Sequence, residues 1–419
     1  MSILYTLGIY LYLLFIRVAA LFHPKANLWW SGRKNWAEKL SLELSSKREA
    51  NQTLIWVHSA SLGEFEQGRP LMEAIKKEYP EVFILLTFFS PSGYEIRKNY
   101  AHANLVCYLP ADLPGNAQKF LSIVQPQLAV FVKYEFWYNF LKTLHKKEIP
   151  VWLIAALFRP KQPFFKPWGA WYLRILRDFD HFFVQNQSSL DLLEKHQIHQ
   201  YTLAGDPRID RVLQIAAEAK SFPLVESFVQ NSTVLMAGST WGPDEVLLAG
   251  LWGNQELCKD WKMIIAPHEI GASHLEQIEQ KFGPQCIRYS QFQAENHSDR
   301  TVLIIDNIGM LSALYRYATI AYIGGGFGTG IHNTLEPMAF GLPVIFGPKY
   351  QKFEEAVANV KTGGAFVVQE EPDLEAVFTQ LKYNTFRAQA SASVQDYLKE
   401  NRGATLKIMA RLRKTIKDE

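Results

Sequence analysis

The sequence predicts an α/β protein of two doubly wound halves, each a parallel sheet flanked by helices. Short apolar runs, about five residues long, alternate with helix-like segments from residue 54 onward. That series stops near Asp206 and a second one begins at Thr233. The length of 419 residues exceeds one ordinary core and suits two domains of roughly 150–200 residues each.

In the first series, strands are expected over residues 54–58, 82–88, 105–109, 128–132, 151–156 and 181–184, with a helix over 66–78 after the first. The second series places strands at 233–237, 262–266, 302–305, 319–323 and 343–346. Mixed helix and loop over 206–231 reads as an interdomain hinge. A helix over 394–416 ends in a basic cluster, Arg411, Arg413, Lys414 and Lys417. The expected organisation is therefore 1–22 as a membrane anchor, 23–205 as a first Rossmann-like domain, 206–231 as the hinge and 232–419 as a second such domain.

Residues 3–22 give 20 almost wholly apolar or aromatic positions, about the length that crosses the hydrocarbon, interrupted only by Arg17. Arg17 sits near the end, where its side chain reaches the interface. Arg33, Lys34 and Lys39 follow, so the positive-inside bias puts the globular part in the cytoplasm. A secretory leader ordinarily starts with positive charge, and none precedes Arg17. A helix lying in the interface is the alternative to a span.

Composition narrows the function classes. Hydrophobic residues at 48% with 20% charged residues mark a globular chain. A net charge of +3 is too small to imply a nucleic-acid partner. Cys107, Cys258 and Cys286 lie far apart without a CxxC pair, which suits a reducing compartment and offers no metal knuckle. With 11 Trp, 18 Tyr and 27 Phe, extended apolar or sugar-stacking surfaces are expected.

The segment Gly324-Gly325-Gly326-Phe327-Gly328-Thr329-Gly330-Ile331-His332-Asn333-Thr334-Leu335-Glu336-Pro337 stands between the apolar run 318–323 and a helix-like stretch 335–340 stopped by Gly341 and Pro343. Glycines there let backbone approach a ligand, and a helix start offers N–H groups to an anion. Glu336 could accept hydrogen bonds from ribose hydroxyls. The spacing excludes a dinucleotide fingerprint, because the sixth position is Thr329 counted from Gly324 and Ile331 counted from Gly326. No Gly-Lys-Ser/Thr follows four variable residues, so a Walker A loop is excluded too. What remains is a nucleotide ligand, a phosphorylated sugar donor above all, or a tight turn that binds nothing.

A second candidate site is His58-Ser59-Ala60-Ser61-Leu62-Gly63-Glu64-Phe65-Glu66, where the first strand ends and a helix begins. Ser61 and Glu64 fit the spacing of a capping box, so Glu64 has a structural reading. It also has a chemical one, as a general base with Gly63 clearing space around it. Glu66 shares the turn and is not expected to take part.

The block from His58 to Glu64 resembles the signature of the 3-deoxy-D-manno-octulosonic acid (Kdo) transferases of lipopolysaccharide assembly. The resemblance continues in order through Pro91-Ser-Gly93, Glu135-Phe-Trp137, Gly205-Asp-Pro-Arg208-Ile-Asp210, Ala237-Gly-Ser-Thr240, Ala266-Pro-His-Glu269 and the glycine segment. It implies a GT-B fold, two Rossmann-like domains facing across a cleft, behind an N-terminal membrane-anchor helix. It implies an inverting enzyme that moves Kdo from CMP-Kdo to a glucosamine hydroxyl of the lipid A precursor lipid IVA, at the inner leaflet of the cell inner membrane. By resemblance Glu64 is the base, and Glu135 and Arg208 support the transition state. Donor-binding positions carried over are Pro267 and His268, Ile308, Gly309 and Met310, and Asn333, Thr334, Leu335 and Glu336. Many relatives have Lys at Arg208 and Glu at Lys133, which leaves the part played by Arg208 less fixed.

No metal or other cofactor is expected. The donor carries one phosphate, His268 and His274 lie six apart, and HExxH is absent. Residues 133–177 hold nine Lys/Arg against two Glu, with twelve Phe, Tyr and Trp interleaved. Beside an anchor that pattern suits a membrane interface, and residues 159–171 are the expected part of the lipid-acceptor surface. An ordinary basic face over buried aromatics explains the same composition. The rival to the whole reading is another GT-B enzyme using a UDP-sugar, a transferase or an epimerase.

Overall fold

The computed structural model describes residues 2–167, 169–297 and 299–417. Met1, Trp168, Ser298, Asp418 and Glu419 lie outside the described residues, as do the side chains of Ile416 and Lys417. The expected anchor, acceptor surface and C-terminal domain and basic cluster each lose a position there.

Two units emerge, Met1–Asp210 with Arg402–Glu419, and Arg211–Asn401. In the first, a parallel sheet is built from β1 (Leu54–Ser59), β2 (Phe83–Phe88), β3 (Leu105–Tyr108), β4 (Leu128–Val132), β5 (Val151–Ala156), β6 (His181–Val184) and β7 (Tyr201–Leu203), in the order β3-β2-β1-β4-β5-β6-β7. Successive side chains of a strand point to opposite faces. Leu54 and Trp56 accordingly enter a core with Phe120 and Phe140, while Ile55 and Val57 enter another with Met72 and Ile75. Register is set by this double burial, with Trp56 opposite Leu85 and Ala129.

The second unit repeats the plan with β8 (Thr233–Thr240), β9 (Trp261–Pro267), β10 (Cys286–Arg288), β11 (Val302–Ile304), β12 (Ile320–Ile323), β13 (Val344–Phe346) and β14 (Ala365–Val367), in the order β10-β11-β9-β8-β12-β13-β14. Strand order reverses between β1 and β4 in one sheet and between β8 and β12 in the other. Open parallel sheets bind ligands beyond the carboxyl ends of the strands at such reversals.

The carboxyl-terminal helix corrects the expected domain plan. In place of one helix over 394–416 there are two, Asn384–Asn401 and Ala404–Lys417, broken at Gly403, whose φ of 89° favours glycine. Ala404, Ile408, Met409 and Leu412 enter the core of the first unit. Asp210 caps this helix, its two carboxylate oxygens accepting from the N–H groups of Gly403 (2.6 Å) and Thr405 (2.7 Å). Apolar spacing marked the helix; it could not mark which unit would bury it.

The N-terminal helix, Ser2–Ala19, is about 27 Å long at the usual rise and has a mean hydropathy of 1.7 with none of its residues buried. Two tyrosines two turns apart dock it on the first unit. The Tyr5 hydroxyl donates to Asp112 Oδ2 at 2.7 Å, and Tyr12 packs edge-on against Trp29 at 5.9 Å. Ile3, Leu4, Leu11, Leu14 and Phe15 stay exposed.

Candidate active site

The helix after β1 begins at Leu62, four residues earlier than the sequence suggested, because Ser61 and Glu64 close the expected capping box. Ser61 N–H donates to Glu64 Oε2 at 3.1 Å, and the Ser61 hydroxyl bonds to the same oxygen. The capping reading of Glu64 is thus satisfied, yet the side chain stays partly exposed at the carboxyl end of β1. A Cβ on Gly63 would meet only Ser61 Oγ, at 3.8 Å, so the chain itself does not require glycine there. Glu66 is committed elsewhere, to Arg97 at 2.9 Å and Arg69 at 3.5 Å.

Glu135 follows β4, the strand paired with β1 across the reversal of order, so the two candidate carboxylates rise from neighbouring strands. It is 7% exposed, and its Oε2 receives the Trp137 indole N–H at 2.6 Å and lies 3.2 Å from His58 Nε2. His58 is fully buried, with Nδ1 2.8 Å from Thr87 Oγ1. Sequence reasoning quoted His58 and Trp137 within motifs and gave them no role. A histidine ending an otherwise apolar strand was the available signal.

Arg208 lies beyond β7 and is held by Asp206, its Nε and a terminal nitrogen reaching Oδ2 at 2.9 and 2.7 Å. Burial pushes the Asp206 carboxyl up, but the Arg208 charge and hydrogen bonds, helped by Lys133, outweigh it and hold the carboxyl below its ordinary range. Asp206 therefore stays ionised and fixes the guanidinium in one orientation.

In the second unit the glycine segment leaves β12 at the reversal of strand order. Its glycines answer to backbone crowding. A Cβ on Gly324 would lie 2.2 Å from the Ser239 carbonyl oxygen, and one on Gly326 would lie 2.6 Å from Gly347 Cα. Several of its N–H groups are engaged within the protein. Gly325 N–H goes to Asp244 Oδ2 (2.9 Å), Gly328 N–H to the Gly325 carbonyl (2.9 Å) and Leu335 N–H to Asn333 Oδ1 (3.1 Å). The helix that follows, Leu335–Met338, has four residues, too few for a useful dipole.

The expected donor residues form two groups. Asn333 Nδ2 donates to Glu336 Oε1 at 3.0 Å, and the Ser312 hydroxyl donates to Oε2 at 2.8 Å, joining Glu336 to the segment that carries Ile308, Gly309 and Met310. Ile308 is 87% exposed, while Met310, Thr334 and Leu335 are buried, so the last two can offer a ligand only backbone. Pro267 closes β9, and exposed His268 packs against both Trp241 (4.6 Å) and His332 (4.5 Å). Trp241 donates its indole N–H to His332 Nε2 at 3.0 Å, so that nitrogen is unprotonated. Burial, and then His268, lower the His332 pKa, in agreement. Trp241, Asp244 and Ser312 were not foreseen as parts of this site, and His332 was quoted in the glycine segment without a role. Among the described residues no group of three or more His, Cys, Asp or Glu is placed to hold a metal ion.

Much of the basic-aromatic interleaving proves to be core. Phe140, Trp152, Phe158 and Phe164 are buried, whereas Lys142, Lys146, Arg159, Lys161 and Arg174 are exposed. Between the N-terminal helix and the Tyr138–Lys146 helix lies a groove of about 530 Å³, bounded by Ile3, Leu7, Tyr138, Lys142 and Lys146.

Two parallel, doubly wound units with candidate groups at both reversals of strand order define the GT-B fold class. The likeness extends to solved structures. A UDP-GlcNAc 2-epimerase from Neisseria meningitidis superposes with a TM-score of 0.60 at 16% identity, over 86% of this chain and 100% of that one. A putative UDP-N-acetylglucosamine 2-epimerase from Listeria monocytogenes gives 0.60 at 12%, over 88% and 98%. At such identities the likeness establishes the fold. Residues 34–211 match the family described as 3-deoxy-D-manno-octulosonic-acid transferase (kdotransferase). The 3-deoxy-D-manno-octulosonic acid transferase of Aquifex aeolicus is 27% identical over 78% of this chain and 85% of its own, and that of Haemophilus influenzae 26% identical over 85% of each. The chain is similar to Kdo transferases along most of its length, and residues 34–211 carry the family match.

Proposed function

We propose that this enzyme moves Kdo from CMP-Kdo to a glucosamine hydroxyl of a lipid A precursor, lipid IVA, with inversion at the anomeric carbon. The observation that carries the reading is that Glu64 and Glu135 each lie just beyond the carboxyl end of one of two paired strands, β1 and β4, at the reversal of strand order and within the region that matches the family. Glu64 takes the proton from the attacking hydroxyl, exchanging its hydrogen bonds to Ser61 for one to the acceptor. Glu135 and Arg208 stabilise charge that develops in the transition state, Arg208 facing the departing cytidine monophosphate. The donor is read by Glu336 toward ribose hydroxyls, with Asn333, residues 308–310, Pro267 and His268 around it. No step calls for a metal.

The acceptor is an amphiphile, and the groove beside the N-terminal helix suits one. Its walls mix apolar Ile3, Leu7 and Pro114 with polar side chains, and Lys142 and Lys146 stand one turn apart as partners for lipid phosphates. The helix is docked through Tyr5 and Tyr12 along one side and bare on the other, which favours lying in the cytoplasmic interface of the inner membrane over crossing it. A thermal-shift panel tests the donor class: CMP and CMP-Kdo raise Tm and UDP-sugars do not. Stabilisation by UDP-GlcNAc alone would refute the reading.

A further inference from the structure

We propose, on the transfer reading above in which Glu135 assists the reacting centre, that Tyr12 of the N-terminal helix is a positioning residue for that carboxylate. It acts through Phe89 and Trp137, so the helix that meets the lipid also frames the reacting group.

The segment that carries Glu135 does not hold itself. Residues 133–137 join β4 to the Tyr138–Lys146 helix. Lys133 opens this loop with a φ of 70°, a left-handed conformation that a residue with a Cβ rarely adopts. Such a backbone keeps its path only where its surroundings over-determine it. At the end of the loop, the Trp137 indole N–H lies 2.6 Å from Glu135 Oε2 and 3.1 Å from His58 Nε2. The placement of that one ring therefore bears directly on the carboxylate.

The support comes from outside the loop. Phe89, just past β2, packs on the Trp137 ring at 4.7 Å. Tyr12 covers Phe89, with ring centroids 6.3 Å apart and planes inclined by 27°. Tyr12 also meets Trp29, which itself packs on Phe89 at 5.5 Å. The main chain of Phe89 is fixed separately, because the Arg33 guanidinium donates to its carbonyl at 2.6 Å and lies over the Trp29 ring at 3.8 Å. Loss of the Tyr12 ring opens space against Phe89 and, through it, against Trp137.

Tyr5, two turns earlier on the same helix face, reaches the other end of the segment. Its hydroxyl donates to Asp112 Oδ2 at 2.7 Å, and Asp112 accepts the N–H groups of Asn139 (3.1 Å) and Phe140 (3.0 Å). Its ring lies edge-on to Tyr138 at 5.5 Å. A helix that served as a lipid contact alone would need one apolar face. This one adds an aromatic face, turned toward both flanks of the Glu135 segment.

The test uses the full-length protein in mixed micelles with CMP-Kdo and lipid IVA. The protein is labelled with fluorotryptophan, the Trp137 ¹⁹F resonance being assigned by its loss in Trp137→Phe. Tyr12→Ala is expected to shift or broaden that resonance and to lower kcat roughly 10- to 100-fold, the cost of displacing a group at the reacting centre by about 1 Å, with KM for the donor nearly unchanged. Tyr12→Phe, which keeps the ring, should restore both. Leu11→Ser combined with Leu14→Ser, on the exposed side of the helix, should instead weaken binding to phosphatidylglycerol vesicles and raise the acceptor KM, with kcat near the wild type. An unmoved Trp137 resonance in Tyr12→Ala would overturn the proposal, and so would a defect of that variant confined to Tm, vesicle binding or acceptor KM. Failure of the transfer reading looks different. A wild-type protein that moved no Kdo, while Tyr12→Ala still displaced the Trp137 resonance, would remove the reaction and leave the contact path standing.

Discussion

Glu64 Oε2 accepts the Ser61 backbone N–H at 3.1 Å, so the proposed base doubles as the cap of the Leu62–Glu78 helix. The two roles separate in one variant. Glutamine keeps the capping box but cannot remove a proton. Glu64→Gln is therefore expected to melt near the wild type and to bind CMP-Kdo, while transfer falls by roughly two to four orders of magnitude. Glu64→Ala should lose transfer and also about 1 kcal/mol of stability. Turnover near the wild-type level in Glu64→Gln would remove the base assignment and leave only the cap.

Arg208 depends on Asp206 for its orientation. Arg208→Lys keeps a charge but loses the two-point grip on Asp206 Oδ2. Its kcat should fall about tenfold, and Arg208→Gln should fall further, because the charge facing the leaving phosphate is gone. Single-turnover rates at saturating donor read this directly. Equal rates in the two variants would show that charge at this position is not used.

The glycine segment has a packing limit at Gly326. A Cβ there would meet Gly347 Cα at 2.6 Å, backbone against backbone. Gly326→Ala should destabilise the second unit by about 1–3 kcal/mol and raise the donor Kd, measured by calorimetric melting and titration with CMP. At Gly328 the nearest atom to a new Cβ is the Gly325 carbonyl oxygen at 3.5 Å, so Gly328→Ala should be close to neutral.

Asp112 gives the docked N-terminal helix a pH signature. Burial pushes its carboxyl up to about 6, against the opposing pull of the Tyr5 hydroxyl and the N–H groups of Asn139 and Phe140. The unfolded carboxyl ionises near 3.8. Because the folded value is the higher one, this group's contribution is complete below 3.8 and is lost as pH rises through about 6, by roughly 3 kcal/mol at most. Asp112→Asn should flatten that part of the stability profile between pH 4 and 7 relative to the wild type. A profile of unchanged slope would contradict the burial of this carboxyl.

Where the sequence was readable, burial was the reason. Residues 128–132 and 151–156 are strands buried on both faces, and their unbroken apolar runs gave both bounds correctly. The three strands left unread, β7, β10 and β14, are all sheet edges of three residues with mixed exposure, so neither a run nor an alternation marks them. Both candidate carboxylates of the first unit were legible from the family's motifs. The partners that orient them were not. Thr87 and His58 meet only because β1 and β2 pair in register. The glycine segment was legible as a turn at a ligand-binding end of the sheet. Its engaged N–H groups were not, since Asp244 reaches Gly325 from 81 positions away.

The central claim is the transfer itself. Purified full-length protein in mixed micelles, incubated with CMP-Kdo and lipid IVA, should release CMP and yield lipid products heavier by one or more whole Kdo residues by mass spectrometry. Unchanged lipid IVA, with consumption of a UDP-sugar in its place, would contradict the account.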